Sequence, residues 1–193
     1  MRRLASPLAV LLLALPAAGC GAERVSVPDV DLRPGEPTKR VEYPRAGIAA
    51  RVPARYPAQA RPRPGVFRVV IADAVLSAWA YPREEQLPRT DAELEKARAE
   101  LEGEVERRGG DFELDRARTT KVDGARAVEL LGRQTVGQER LRTRSVHVYK
   151  GSAEYVFELL APRARFDRLD SRAFEPMLNS LELSGKVRAK KSG

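Results

Sequence analysis

Between Phe112 and Leu160 the chain passes through four strand-length segments parted by tight turns, and this run dictates most of what it can fold into. The segments are Phe112 to Lys121, Ala125 to Val136, Leu141 to Lys150 and Ala153 to Leu160. Between them stand Val122-Asp123-Gly124, Gly137-Gln138-Glu139 and Gly151-Ser152. Asp-Gly between two strand patterns is a strong hairpin signal, because both residues tolerate positive φ. Strands joined so briefly can pair only antiparallel, since a parallel crossover needs a dozen or more residues. The expected product is an antiparallel meander, which must bury at least one face against another layer.

The flanking sequence supplies more strands and the covering helices. Gly47 to Pro53 reads as a strand ended by a proline that cannot continue a ladder. Pro53 to Pro64, rich in Pro, Ala and Arg, reads as a mobile loop. Val66 to Ile71 and Val75 to Tyr81, joined by Ala72-Asp73-Ala74, form a predicted hairpin. Its second strand places Val75, Ser77, Trp79 and Tyr81 on one face by the two-residue period. Residues 91–108 carry the clearest helix pattern. Thr90 and Glu93 form a capping box, and Leu94, Ala97, Leu101 and Val105 make one apolar stripe. Gly109 is a natural left-handed stop. A second helix is expected from Ser171 to Asn179, burying Phe174, Met177, Leu178 and Leu181, with a short strand at Leu181 to Leu183. There is no internal repeat. The fold class is therefore α+β: an antiparallel, meander-rich sheet of about six to seven strands with helices packed on it.

The N-terminus says where such a domain works. Arg2 and Arg3 precede a short apolar core from Leu8 to Leu15, then Pro16, then the small residues Ala17, Ala18 and Gly19. That order marks an export signal, and its apolar run falls well short of the roughly 20 residues of a permanent membrane span. The next residue, Cys20, is the only cysteine of the 193-residue chain. The stretch resembles the lipobox of bacterial lipoproteins, in which the signal is cut before a cysteine whose thiol carries a diacylglycerol. Ala17 departs from that pattern, which usually has leucine three residues before the cysteine. An ordinary secretory signal with a chance cysteine is the alternative.

On this reading residues 1–19 are the signal peptide and 20–40 a lipidated cysteine with its tether. Pro28, Pro34, Gly35 and Pro37 lie among charges of both signs there, too polar to offset the entropy of ordering. The globular domain is expected over 41–184 and a basic, disordered tail over 185–193. Removing the signal takes away Arg2 and Arg3, lowering the formal charge from +8 to +6. Outside the cytoplasm that charge points away from nucleic acid and toward anionic headgroups or wall polymers. With Cys20 used as an anchor no disulfide is possible, so packing alone must hold the fold. One histidine and no further cysteine leave no structural zinc site, and no cofactor motif is found.

The candidate chemistry is sparse. Ser145 and His147 share a strand face, the starting requirement for acyl transfer, with Glu129 or Glu158 as possible orienting carboxylates. No Gly-x-Ser-x-Gly elbow presents the serine, so a sheet histidine bonded to a neighbour is the simpler reading. The helix glutamates Glu100, Glu102, Glu104 and Glu106 read as a solvated face paired with Lys96, Arg98, Arg107 and Arg108. Trp79, Tyr81, Tyr149, Tyr155, Phe157 and Phe166 are able to line a pocket or to fill the core. Trp79 and Tyr81, with His147 and Tyr149, are the candidate ligand or partner surface.

Tyr43-Pro44 followed by Gly47-Ile48, the capped helix, Val122 to Ala127, Gly151 to Phe157 and Phe174 to Leu178 together resemble the PsbP/Mog1-like fold, an α/β/α sandwich. By pattern the chain also resembles the LpqN-type lipoproteins of actinobacteria, and the similarity spans roughly residues 43–183. It implies a non-enzymatic binding or assembly module, some members being linked to cell-envelope assembly. No set of family functional residues carries over, and fold does not fix function. The expectation is a lipid-anchored envelope module with a protein partner. The alternative is an extracytoplasmic carrier for a hydrophobic or anionic ligand.

Overall fold

Each strand of the central meander ends where a positive-φ residue turns the chain. Asp123 (φ 49°) and Gly124 (φ 69°) link one pair, Gly137 (φ 62°) the next and Gly151 (φ 62°) the last. The computed structural model describes residues 32–108 and 112–187. In chain order it contains β1 (Thr38–Tyr43), β2 (Ile48–Pro53), β3 (Ala58–Ala60), β4 (Gly65–Ile71), β5 (Ala74–Pro82) and helix α1 (Asp91–Arg108). The meander follows as β6 (Phe112–Val122), β7 (Ala125–Val136), β8 (Glu139–Lys150) and β9 (Ala153–Pro162). The chain then forms α2 (Arg163–Leu169), a π turn (Asp170–Phe174), α3 (Glu175–Asn179) and β10 (Glu182–Leu183).

Seven strands form one antiparallel sheet in the order β3-β4-β5-β9-β8-β7-β6, and β1-β2-β10 form a second, smaller one. The pairing of β5 with β9 joins the early hairpin to the meander, opposing Trp79 to Val156 and Tyr81 to Glu154. The small sheet and the α2–α3 run cover one face of the large sheet. There the main core gathers Val52, Phe67, Leu76, Tyr155, Phe157, Phe174 and Met177, all fully buried. Burial of such side chains contributes about 1.5–3 kcal/mol each. The opposite face receives α1 on a smaller cluster of Leu94, Val105, Val128 and Leu130. The capping box forms as read: Thr90 Oγ1 accepts the Glu93 amide at 3.1 Å, and Glu93 Oε2 accepts the Thr90 amide at 3.0 Å.

Several boundaries differ from expectation. The domain starts before Val41, because Thr38–Tyr43 is a strand and Leu32 is fully buried with its carbonyl accepting from Arg172. The stretch after Pro53 is not wholly a loop, since Ala58–Ala60 pairs with β4. The helical run begins at Arg163, not Ser171. Its apolar positions, Phe166, Leu169, Ala173 and Met177, keep helical spacing but are diluted by charge. Pro176 cannot donate to residue 172 and its ring crowds that carbonyl, and the widened π turn just before it relieves the clash. The ordered domain also runs past Ser184. The Ser152 amide donates to Gly185 O at 3.0 Å, and Val187 packs against the main core. The signal peptide, Cys20, most of the tether, Gly109 and residues 188–193 lie outside the described residues.

Candidate functional site

Helix α1 lies over β6 and β7 and leaves β8, β9 and β5 uncovered on the same face. The connection from Arg83 to Pro88 closes a third side, producing an open groove of about 890 Å³. Strand register sets its floor in rows. Tyr81, Glu154 and Tyr149 stand side by side, then Trp79, Val156 and His147, and then Glu158 opposite Ser145. Trp79, Tyr81, His147 and Tyr149 all line this groove. They come together because β9 sits between β5 and β8, the two strands that carry them.

At one end of the floor the charges are matched. Glu154 is 4 % exposed and receives Arg83 Nε at 2.9 Å and His147 Nδ1 at 2.7 Å, with Arg83 Nη2 also on the same carboxylate. Burial opposes its charge, but hydrogen bonds from His147 and Arg83 outweigh it and hold the carboxyl below its ordinary range. An ionised carboxylate only accepts, so Nδ1 carries the His147 proton. The Arg83 guanidinium also lies 5.7 Å from the centre of the Tyr81 ring, within cation–π range.

At the other end they are not. Glu158 is half-buried and, among the described residues, has no ion pair or hydrogen bond. Burial pushes its carboxyl above the usual range, with His147 pulling weakly the other way. Ser145 beside it is only 7 % exposed and its hydroxyl is likewise without a partner among the described residues. Burial also pushes the Tyr149 phenol up.

The walls add charge of one sign. Glu85, Glu93, Glu100 and Glu104 join Glu154 and Glu158, and only Arg83 and Lys96 oppose them. A chain of formal charge +8 thus presents an acidic groove.

The Ser145–His147 pair shares a face as expected, but no hydrogen bond links the two among the described residues. The carboxylate that orients His147 is Glu154, not Glu129 or Glu158. Glu129 points to the opposite face, where it is bonded to Arg118 and Arg144. Of the other candidate aromatics, Tyr155, Phe157 and Phe166 are core residues. Sequence reading missed Glu154 as a site residue, and it placed Glu158 beside Ser145 and His147 without joining it to Trp79, Tyr81 or Glu104. The signal was present in the alternation of β9, whose Glu154, Val156 and Glu158 share a face, but nothing in the sequence pairs β9 with β5. No group of His, Cys, Asp or Glu suited to a metal ion occurs among the described residues.

The sequence matches no protein-family model and no curated protein. Solved structures are more informative. The chain is similar to the cyanobacterial PsbP protein CyanoP from Synechocystis sp. PCC 6803, with a TM-score of 0.59 and 16 % identity over 77 % of this chain and 93 % of that one. The fold is PsbP-like. LpqN of Mycobacterium tuberculosis, described as involved in cell envelope biogenesis, is also similar, with a TM-score of 0.54 and 13 % identity over 76 % and 90 % of the two chains. At such identities the likeness speaks of fold alone. On the PsbP-like frame the acidic groove lies on the α1 face of the large sheet, opposite the face covered by the small one. No helix among the described residues is long and apolar enough to cross a membrane.

Proposed function

We propose that the protein is a non-enzymatic, lipid-anchored binding module of the bacterial cell envelope, and that its partner docks in the groove between α1 and the sheet. The observation that carries this reading is the convergence of Trp79, Tyr81, His147 and Tyr149 on one concave surface. The export signal and Cys20 support delivery to the outer side of a membrane. The likeness to LpqN, described as involved in cell envelope biogenesis, supports the setting. A Ser145–His147 hydrolase is the less supported reading, since His147 is bonded to Glu154 and, among the described residues, no base is bonded to the Ser145 hydroxyl. The carrier reading is also less well supported: six carboxylates repel an anion, and two of them on the floor suit a lipid chain poorly.

Site-directed photo-crosslinking in the parent cells tests the docking surface. A crosslinker at Tyr81 is expected to give a discrete adduct, while one at Val136, the exposed tip of the β7–β8 hairpin, is not. Equal labelling from both positions, or none from Tyr81, refutes the groove as the contact. Anchoring is tested separately by fractionation. Cys20→Ser is expected to release the protein from membranes, and full retention refutes the lipid anchor.

A further inference from the structure

We propose that the groove recognises a lysine or arginine side chain, presented on an extended segment of a partner protein and seated on Glu158 and Ser145. This rests on the reading of the groove as the docking surface and specifies what it selects.

The groove already shows how it holds a cation. Arg83 reaches in from the wall, pairs with Glu154 and lies against the Tyr81 ring. That arrangement satisfies Glu154, and a second carboxylate near an aromatic ring recurs a few residues along the floor. Glu158 lies two residues beyond Val156 on the same strand face, with Trp79 of β5 in the neighbouring row, but no cation pairs with it among the described residues. Ser145, 7 % exposed and opening into the groove, adds a hydroxyl with no partner among the described residues. An ammonium or guanidinium group donates to carboxylate and hydroxyl together, while its aliphatic stem or planar face packs on an indole. The charge on Glu158 is penalised by burial until such a group arrives.

The shape favours a chain over a small cation. From the Tyr81 row to the Glu158 row the floor covers four residues along β5 and β9, about 13 Å at the rise of a strand. The groove is open along this length, so an extended segment can lie in it with alternate side chains pointing down. Carboxylates on the α1 wall, Glu100 and Glu104, add attraction for a basic segment before contact.

The test uses a displayed library of random linear nonapeptides, selected on the mature domain and on its Glu158→Gln variant. Binding in the groove is read from the fluorescence of Trp79, the chain's only tryptophan. Groove binders of the parent protein are expected to share Lys or Arg at one position, and selection on Glu158→Gln is expected to lose it. A selected peptide and its Nε-acetyl-lysine twin are then compared. The neutral twin should bind at least about tenfold more weakly to the parent protein, and equally weakly to Glu158→Gln. Groove binders without a fixed basic residue overturn the cation inference but leave the docking surface standing. A library that yields no groove binder at all overturns both. Spermidine binding as tightly as the selected peptides overturns the claim that a peptide segment is the occupant. Glu158→Gln removes a half-buried charge that has no partner among the described residues, so the variant is expected to fold, and thermal melting checks that it does.

Discussion

Replacing Glu129 by glutamine tests the most deeply buried carboxylate among the described residues. Glu129 is 2 % exposed and accepts from Arg118 Nε at 2.7 Å and from Arg144 Nη2 and Nε at 2.6 and 2.9 Å. Arg144 in turn holds Asp170 at 2.8 Å and lies 5.6 Å from the centre of the Phe174 ring, so the carboxylate ties β7 and β8 to the helical run. Glutamine keeps the shape but turns an NH2 group toward guanidinium donors, leaving at least one buried donor without an acceptor. Arg118 has half its side chain in water and recovers its hydration, whereas Arg144, at 14 %, does not. Asp170 still serves Arg144, which limits the loss. The cost should be about 2–4 kcal/mol, below the extreme for a wholly stranded buried charge. For a domain of this size that lowers Tm by roughly 4–16 °C. Arg118→Ala should cost about 1 kcal/mol or less, as half-exposed ion pairs do.

Urea unfolding of both variants at neutral and acid pH is the assay. Burial opposes ionisation of Glu129, but Arg118 and Arg144 outweigh it and depress its carboxyl in the folded state. Its contribution is therefore complete above the unfolded carboxylate range and is lost as pH falls through the lower, folded value. The gap between the parent protein and Glu129→Gln should shrink on acidification. A gap under 1 kcal/mol at pH 7, or one that is the same in acid, refutes the reasoning.

Glu158 carries the opposite sign. Its carboxyl is raised in the fold, so its charge lowers stability as pH rises through the acid range, and Glu158→Gln should be up to about 1 kcal/mol more stable at neutral pH. Calorimetry showing a clear loss instead would mean that Glu158 has a compensating partner. Thr90→Ala removes the acceptor of the Glu93 amide and should cost about 1 kcal/mol, read by urea unfolding, with no change in the sheet. Gly151→Ala puts a Cβ 2.3 Å from Gly185 O at a residue with φ 62°. It should cost at least about 2 kcal/mol and free the segment after Ser184, detectable as faster amide exchange at Ser152.

What was legible in the sequence was local. Asp123-Gly124 and Thr90-Glu93 act through their own backbone neighbours, so the hairpins and the start of α1 could be placed without knowing the rest of the chain. The face shared by Ser77, Trp79 and Tyr81 and that shared by Ser145 and His147 were equally local. What joined them was not. Register opposes Ser145 to Glu158 and Glu158 to Ser77, and that alignment comes from packing across the whole sheet. The small sheet was hidden for the same reason, since Arg40 meets Glu182 across 142 residues of chain. Glu100 and Glu104 looked like any solvated helix face. Only the uncovered strands beneath them turn that face into one wall of a groove.

Helix α1 rests on its own small cluster, on the far side of the sheet from the main core, with Arg126 holding Asp91 at 3.2 Å and Thr119 donating to Glu95 at 3.1 Å. The floor strands β5, β9 and β8 are backed by the main core instead. The two sides of the groove thus rest on different apolar clusters, and Tyr149, which lines the groove, packs against the one beneath the helix. A substitution in the small cluster, at Leu94 or Val105, therefore shifts one wall of the groove while the side chains behind its floor on the main core stay as they are.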